Sequence, residues 1–208
     1  GVDAEVVDDA GEKVGPGQVG YLVFRKPWPS MLRDGGSDPE TFRKLYWSRY
    51  TGAYFSGDAC QVDEDGYFWP LGRVDDLIET SEHLISTMEL ESALVNHPAV
   101  AEAACIGKDQ KAKGQTVIAF VTLKESAEPT AGLKEDLKEH MAINIGPIGR
   151  PDDIIFTDEL PKTLSGKIMR RLLKDLIEGR GLGDTTALSN QEALNPTFLS
   201  RLDVNQDK

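Results

Sequence analysis

The chain has 208 residues, 39% hydrophobic and 28% charged, the profile of an ordinary globule with room for one large domain or two small ones. Its 35 acidic and 23 basic side chains leave a formal charge of −12, which argues against nucleic acid or an anionic membrane as the main partner. Cys60, Cys105 and the three histidines form no CxxC or zinc pattern, so both thiols are expected as small core residues. With no apolar run of membrane-span length and no secretory h-region at its start, the chain reads as cytoplasmic.

Residues 1–27 alternate strand and turn. Val2 to Val7 has strand composition, Asp8-Asp9-Ala10-Gly11 is a turn, and Val19 to Phe24 is a second strand. Because strand pattern begins right after Gly1, the sequence reads as a piece of something longer. A loop follows around Trp28 and Pro29. Pro39 then opens a short helix carrying Phe42, Leu45 and Tyr46. Aromatic strands at Tyr54-Phe55 and Gly66 to Trp69 bracket the acidic turn Asp63-Glu64-Asp65-Gly66. Residues 1–72 are therefore expected to be small and mostly β, with exposed apolar sheet edges.

The character changes at Gly72-Arg73-Val74-Asp75-Asp76. Short strands at 77–80 and 84–86 precede a helix from Met88 to Asn96, with Leu90, Ala93 and Leu94 at helical spacing and Thr87 as its N-cap. Val100 to Ile106 and Val117 to Leu123 are apolar strands, the second long enough to be central. Pro129 to Met141 reads as a helix, Asp153 to Phe156 as a strand and Ile168 to Ile177 as a helix. The order β-β-α-β-β-α-β-α predicts a compact α+β domain over residues 77–178, with 73–76 as a hinge and 179–208 as a surface tail.

Four places can carry chemistry. Lys167 sits at the tip of the Ser165-Gly166 turn, where a flexible cation suits a phosphate or carboxylate; a lysine beside a turn is equally a solvated surface residue. Asp58 closes Tyr54-Phe55-Ser56-Gly57-Asp58 and can accept two hydrogen bonds from a vicinal diol such as a ribose, or bond its own turn backbone. Arg73 can pair with a sugar hydroxyl or phosphate, and Asp75 can absorb a rotation between the two halves; the alternative is a surface ion pair of little worth. Where His97-Pro98 stops the helix, its last carbonyls can hold a hard cation or bond water.

Five motifs, Tyr54 to Asp58, Asp63 to Trp69, Gly72 to Asp76, Glu89 to Pro98 and Pro161 to Arg171, occur in an order and spacing that closely resemble the C-terminal third of AMP-forming acetyl-CoA synthetases, members of the adenylate-forming superfamily. The likeness covers essentially the whole chain, including Leu182 to Leu188. It implies the β-rich end of a large N-terminal domain followed by a mobile α+β C-terminal domain. It also implies a two-step ligase that uses ATP, CoA, Mg2+ and acetate or another short carboxylate. By this resemblance Asp58 binds the ribose hydroxyls of the adenylate, Arg73 contacts the same nucleotide, Asp75 is the hinge and Ser81 belongs to the CoA-binding loop. Lys167 would bridge carboxylate and phosphate during adenylation, and would be the lysine that an acyltransferase modifies and a deacylase restores. The carbonyls of Val95, His97 and Val100 match positions where the family can hold Mg2+. The family's phosphate loop and acyl pocket lie upstream of Gly1, so this chain alone is expected to be inactive without its large N-terminal domain.

Three departures from the family touch phosphate or CoA handling. Residues 81–87 read Ser-Glu-His-Leu-Ile-Ser-Thr where the family has Ser-Gly-His-Arg-Leu-Gly-Thr. Glu82 fills space needed by pantetheine, Leu84 replaces an arginine that contacts phosphates, and Ala142 stands where the family has a second CoA-binding arginine. Each lost arginine costs on the order of 2–3 kcal/mol if it made a charged hydrogen bond. The thioester half is then either weaker or served by other residues such as Lys138 or Arg150, and two further readings stand beside the ligase: a relative with an impaired CoA step, and an isolated non-catalytic interaction or regulatory domain.

Overall fold

The computed structural model describes residues 1–33, 38–80, 84–110 and 114–194. The chain divides into two compact units, Gly1–Asp75 and Asp76–Lys208.

In the first unit, β1 (Ala4–Val7), β2 (Val19–Phe24), β3 (Tyr54–Val62) and β4 (Phe68–Arg73) form an antiparallel meander in that order. Helix α1 (Pro39–Trp47) starts where Asp38 accepts the Glu40 and Thr41 N–H groups, with Pro39 in a position that needs no donor. Its Tyr46 ring stacks on Tyr54 at 5.3 Å. One buried cluster gathers Val7, Val23, Tyr50, Ala53 and Phe55, and Val6, Tyr54, Ala59 and Cys60 are buried as well. Arg49 lies 4.1 Å over the Tyr21 ring and pairs with Asp9, so a cation covers the rim of that core. The last strand, β4, has one partner only and leaves Phe68 and Trp69 exposed, the apolar edge the sequence pattern leads one to expect.

In the second unit, β5 (Leu77–Glu79) and β6 (Leu84–Ser86) pair antiparallel. A three-stranded sheet is built from β7 (Val100–Gln110), β8 (Gly114–Leu123) and β9 (Asp153–Phe156), with β8 in the centre. The β8–β9 pairing is parallel, so a crossover is required, and α3 (Ala131–Asn144) supplies it. Strand alternation sends Ala103, Cys105, Val117, Ala119, Val121 and Ile154 to one face, under α3 and α2 (Thr87–Val95). Leu90, Leu94, Leu137 and Met141 of those helices are fully buried there. Ala104, Ile106, Ile118, Phe120 and Ile155 face the other way, against Leu173 of α4 (Arg170–Ile177). The fold is α+β, with the element order that the sequence predicts.

Three helix starts are among the boundaries that differ from expectation, and hydrogen bonds set two of them. Thr87 is not the N-cap of α2: Ser86 occupies that place without a side-chain cap bond, and Thr87 is buried at the helix start. Helix α3 begins at Ala131, not Pro129, because Thr130 Oγ1 accepts the Leu133 N–H. Helix α4 begins at Arg170, not Ile168, because Ile168 bridges Lys162 and the Met169 N–H donates to Pro161 O. The tail is partly embedded, since Ala193 is buried and Leu194 packs on the α4-side core. Among the described residues no helix is long and apolar enough to cross a membrane.

Candidate functional site

The register of β3 and β4 sets Asp58 opposite Arg73. Arg73 Nη1 donates to Ser56 O at 2.8 Å and lies 3.6 Å from Asp58 Oδ1, while Nη2 is 3.9 Å from Asp75 Oδ2. Gly57 makes this possible twice over. Its φ of +81° is one that side chains rarely adopt, and a Cβ on it would stand 2.4 Å from the guanidinium. The structure thus brings Asp58, Arg73 and Asp75 into one cluster at the end of the first unit. Pairs this exposed contribute little stability, but an acceptor carboxylate beside a donor guanidinium suits a diol next to an anion. Asp75 lies in a 3-10 turn over Val74–Asp76, its side chain open to solvent.

In the second unit, residues 161–169 fold back on themselves. The Met169 N–H donates to Pro161 O, the Thr163 N–H to Lys167 O at 2.9 Å, and the Gly166 N–H to Thr163 O at 2.8 Å. Gly166 holds φ +82° at the bend. The Lys167 N–H is bound by Thr163 Oγ1, so the backbone of this lysine is fixed from both sides. Its side chain is exposed, and its ammonium has no ion-pair or hydrogen-bond partner among the described residues. The result is a free cation on a fixed stem.

Behind that turn lies a network that sequence reasoning missed. Arg170, the first residue of α4, makes a two-pronged contact with Glu91 of α2, Nε to Oε1 at 2.8 Å and Nη2 to Oε2 at 2.6 Å. Glu91 Oε1 also accepts the Cys105 N–H at 2.9 Å, and Arg170 Nη1 lies 3.7 Å from Asp76. The hydrogen bond to Glu91, before any other cause, holds the Arg170 guanidinium above its ordinary pKa. Burial pushes the Cys105 thiol well up, and the Glu91 charge adds to it, so Cys105 is a core group rather than a nucleophile.

The carbonyls of Val95, His97 and Val100 sit at the turn from α2 into β7. The His97 oxygen already accepts the Val100 N–H at 3.1 Å, and the His97 ring is committed to Asp136 at 3.2 Å and to the Ala99 N–H. What that turn offers a cation is backbone oxygen alone, a donor set for a hard ion. Among the described residues there is no group of three His, Cys, Asp or Glu that could hold a metal. Ser81, with Glu82 and His83, lies outside the described residues. Leu84 is 43% exposed on β6. Lys138 donates to Asp152 O at 2.7 Å and Arg150 to Glu135 at 3.2 Å, so both alternative cations are already engaged.

Residues 89–167 match the family described as the AMP-binding enzyme C-terminal domain. The chain is 53% identical over 192 residues to an acetyl-coenzyme A synthetase of Rubrobacter xylanophilus, covering 91% of this chain and 30% of that protein. It is 50% identical over 194 residues to an acetyl-coenzyme A synthetase of Pyrobaculum arsenaticum, covering 93% of this chain and 29% of that protein. It therefore spans less than a third of the length of these curated relatives. Among solved structures, the acetoacetyl-CoA synthetase from Streptomyces lividans superposes with a TM-score of 0.85, covering 98% of this chain and 31% of that one; at 24% identity this speaks for the fold alone.

Proposed function

From the match of residues 89–167 to the AMP-binding enzyme C-terminal domain family, we propose that the chain is the C-terminal part of an ATP-dependent acyl-CoA ligase of the acetyl-CoA synthetase type. The observation that carries the reading is Lys167, whose ammonium has no partner among the described residues, on a backbone fixed by Thr163 and Gly166. In the first half-reaction an acetate oxygen attacks the α-phosphorus of ATP, and the bond to the β,γ-phosphates breaks to release pyrophosphate. Two anions must meet, and a positioned cation between them lowers that barrier more than covalent chemistry could. In the second half-reaction the CoA thiolate attacks the acyl carbon, and the carbon–oxygen bond to AMP breaks. Lys167 serves the first half only.

The remaining roles follow from the same reading. Asp58 takes the ribose hydroxyls, Arg73 the nucleotide beside them, Asp75 the hinge rotation, and Ser81 the approach of CoA. A Mg2+ on the carbonyls of Val95, His97 and Val100 would tie the end of α2 to the start of β7. Modification of Lys167 by an acyltransferase would remove its charge and switch off adenylation. The two cysteines, free and buried, support a cytoplasmic setting.

The test uses the intact protein that carries this chain. Acetate-dependent ATP–pyrophosphate exchange should fall by about 10²–10³-fold in Lys167→Ala, the loss expected for one preorganised charge-stabilising group. Transfer of acetyl from preformed acetyl-AMP to CoA should persist in that variant. Exchange that is indifferent to Lys167→Ala would remove the reading. A second reading is favoured by Leu84, a half-exposed leucine where the family places a phosphate-binding arginine. Exchange without CoA-dependent AMP release would select that CoA-impaired relative, and no exchange at all would leave a non-catalytic module.

A further inference from the structure

The stem of the Lys167 turn has a partner from far downstream. Asn190 uses both ends of its carboxamide: Oδ1 accepts the Lys162 N–H at 2.8 Å, and Nδ2 donates to Leu160 O at 2.8 Å. One partner is a donor and the other an acceptor, so the orientation of the amide is fixed by chemistry. Ser189 donates its N–H and its hydroxyl to Lys162 O, at 2.8 and 2.9 Å. Leu188 bridges Thr163 antiparallel. On its other side the same stem meets the limb that carries Lys167, through the Lys162–Ile168 bridge and the Met169 N–H to Pro161 O bond. Residues 160–163 are thus the middle of three extended segments, with the lysine limb on one flank and residues 188–190 on the other.

The outer segment is itself anchored. The Ala193 N–H donates to Asn190 O, and Ala193 is 3% exposed. Leu194 packs on the core that holds Phe120 and Leu173. Arg171 fastens the approach by donating to Leu182 O at 2.7 Å and to Asp184 O. Lys162 secures the stem from inside by binding both oxygens of Glu102, at 2.7 and 2.8 Å.

We propose that Asn190 is a positioning residue for Lys167: its carboxamide stands in for the absent ladder partner of Leu160 and Lys162, and so fixes the limb from which the lysine is presented. The proposal rests on Lys167 being the adenylation lysine. A short two-limbed turn held by its own bonds alone is marginal in water, and a third, anchored segment removes that freedom. A flexible side chain adds its own spread to that of its stem, so the gain is realised at the ammonium.

The experiment again uses the intact protein. Asn190→Asp keeps the shape and the acceptor but turns the donor into an oxygen facing Leu160 O; Asn190→Ala removes both bonds; Ser189→Ala removes the hydroxyl bond only. Acetate-dependent pyrophosphate exchange should fall by about tenfold or more in both Asn190 variants, the scale of loss for a displaced positioning group, and by less in Ser189→Ala. Single-turnover transfer from preformed acetyl-AMP to CoA should stay within about twofold, because that half does not use Lys167. Amide exchange at Thr163, Gly166 and Lys167 should quicken in the same variants. Parallel loss of both half-reactions, or unchanged exchange in the Asn190 variants, overturns the proposal. Lys167→Ala run alongside separates the two ideas: if it abolishes exchange while Asn190 variants do not, only the positioning role fails. If Lys167→Ala leaves exchange intact, the adenylation reading fails and takes this proposal with it. Should Asn190→Ala not fold, Asn190→Asp and Ser189→Ala carry the test.

Discussion

Asp63 accepts the Trp69 Nε1–H at 2.8 Å and the Tyr67 N–H at 2.8 Å across the turn between β3 and β4. The indole bond first, then the backbone bonds, hold its carboxyl below the ordinary value of 3.8. A depressed carboxyl stabilises the fold fully above that ordinary value, and the contribution is lost as pH falls through the lower, folded value. The Trp69 indole N–H resonance should therefore keep its bonded shift down to pH 3.8 and lose it below. Asp63→Asn should flatten that response, and an acid-indifferent wild-type signal would contradict the assignment. Glu91 presents the opposite case, a mostly buried carboxylate whose removal strands a guanidinium. Glu91→Ala should cost about 2–3 kcal/mol, somewhat below a fully buried pair because Arg170 retains some solvent contact. The urea midpoint should drop with unchanged slope. Lys167, Asp58 and Arg73 were legible in the sequence because each stands within a few residues of the turn that places it. Glu91 and Asn190 were not, because their partners lie 79 and 28 residues away.

The elements divide in the same way. Helix α3 was legible from Leu133, Leu137 and Met141, and β8 from its unbroken apolar run, since periodicity reports burial directly. Their ends were not, because a cap or a bridge decides them: Thr130 Oγ1 for α3, the Ile168 and Met169 backbone for α4. The two turn glycines should behave differently when substituted. A Cβ at Gly166 meets nothing within 4 Å, so Gly166→Ala carries only the left-handed backbone cost of about 1–2 kcal/mol. At Gly57 the same backbone cost is joined by a collision with Arg73 at 2.4 Å. Calorimetry of AMP binding to the intact protein should show Gly57→Ala weakening affinity and Gly166→Ala leaving it close to wild type. The reverse order would mean that Arg73 does not reach the nucleotide.

At the scale of the whole molecule, the two units are unequal. The second buries apolar side chains on both faces of its sheet, whereas the first has a smaller buried cluster and an exposed aromatic edge. All three tryptophans and all five tyrosines, from Tyr21 to Trp69, belong to the first unit. The tryptophan and tyrosine bands of near-ultraviolet dichroism therefore report that unit alone, while three of the four α-helices among the described residues, which dominate the far-ultraviolet signal, lie in the second. Denaturant curves from the two signals should separate, with the aromatic signal lost first; coincident curves would mean a single cooperative molecule. The embedding of the tail was not legible in the sequence, because Ala193 and Asn190 carry no periodic signal.

The outer segment, residues 188–190, has a consequence for the protein's lifetime. Residues 188–190 reach the lysine stem through a stretch, 179–187, that has no helix or strand, and connecting segments of that kind are where proteases cut. One nick there would leave the sheet paired, yet turn an intramolecular fit into a bimolecular one and forfeit its effective concentration. Such a clipped molecule would pass for folded by dichroism while, on the proposed reading, having lost the fixed presentation of Lys167.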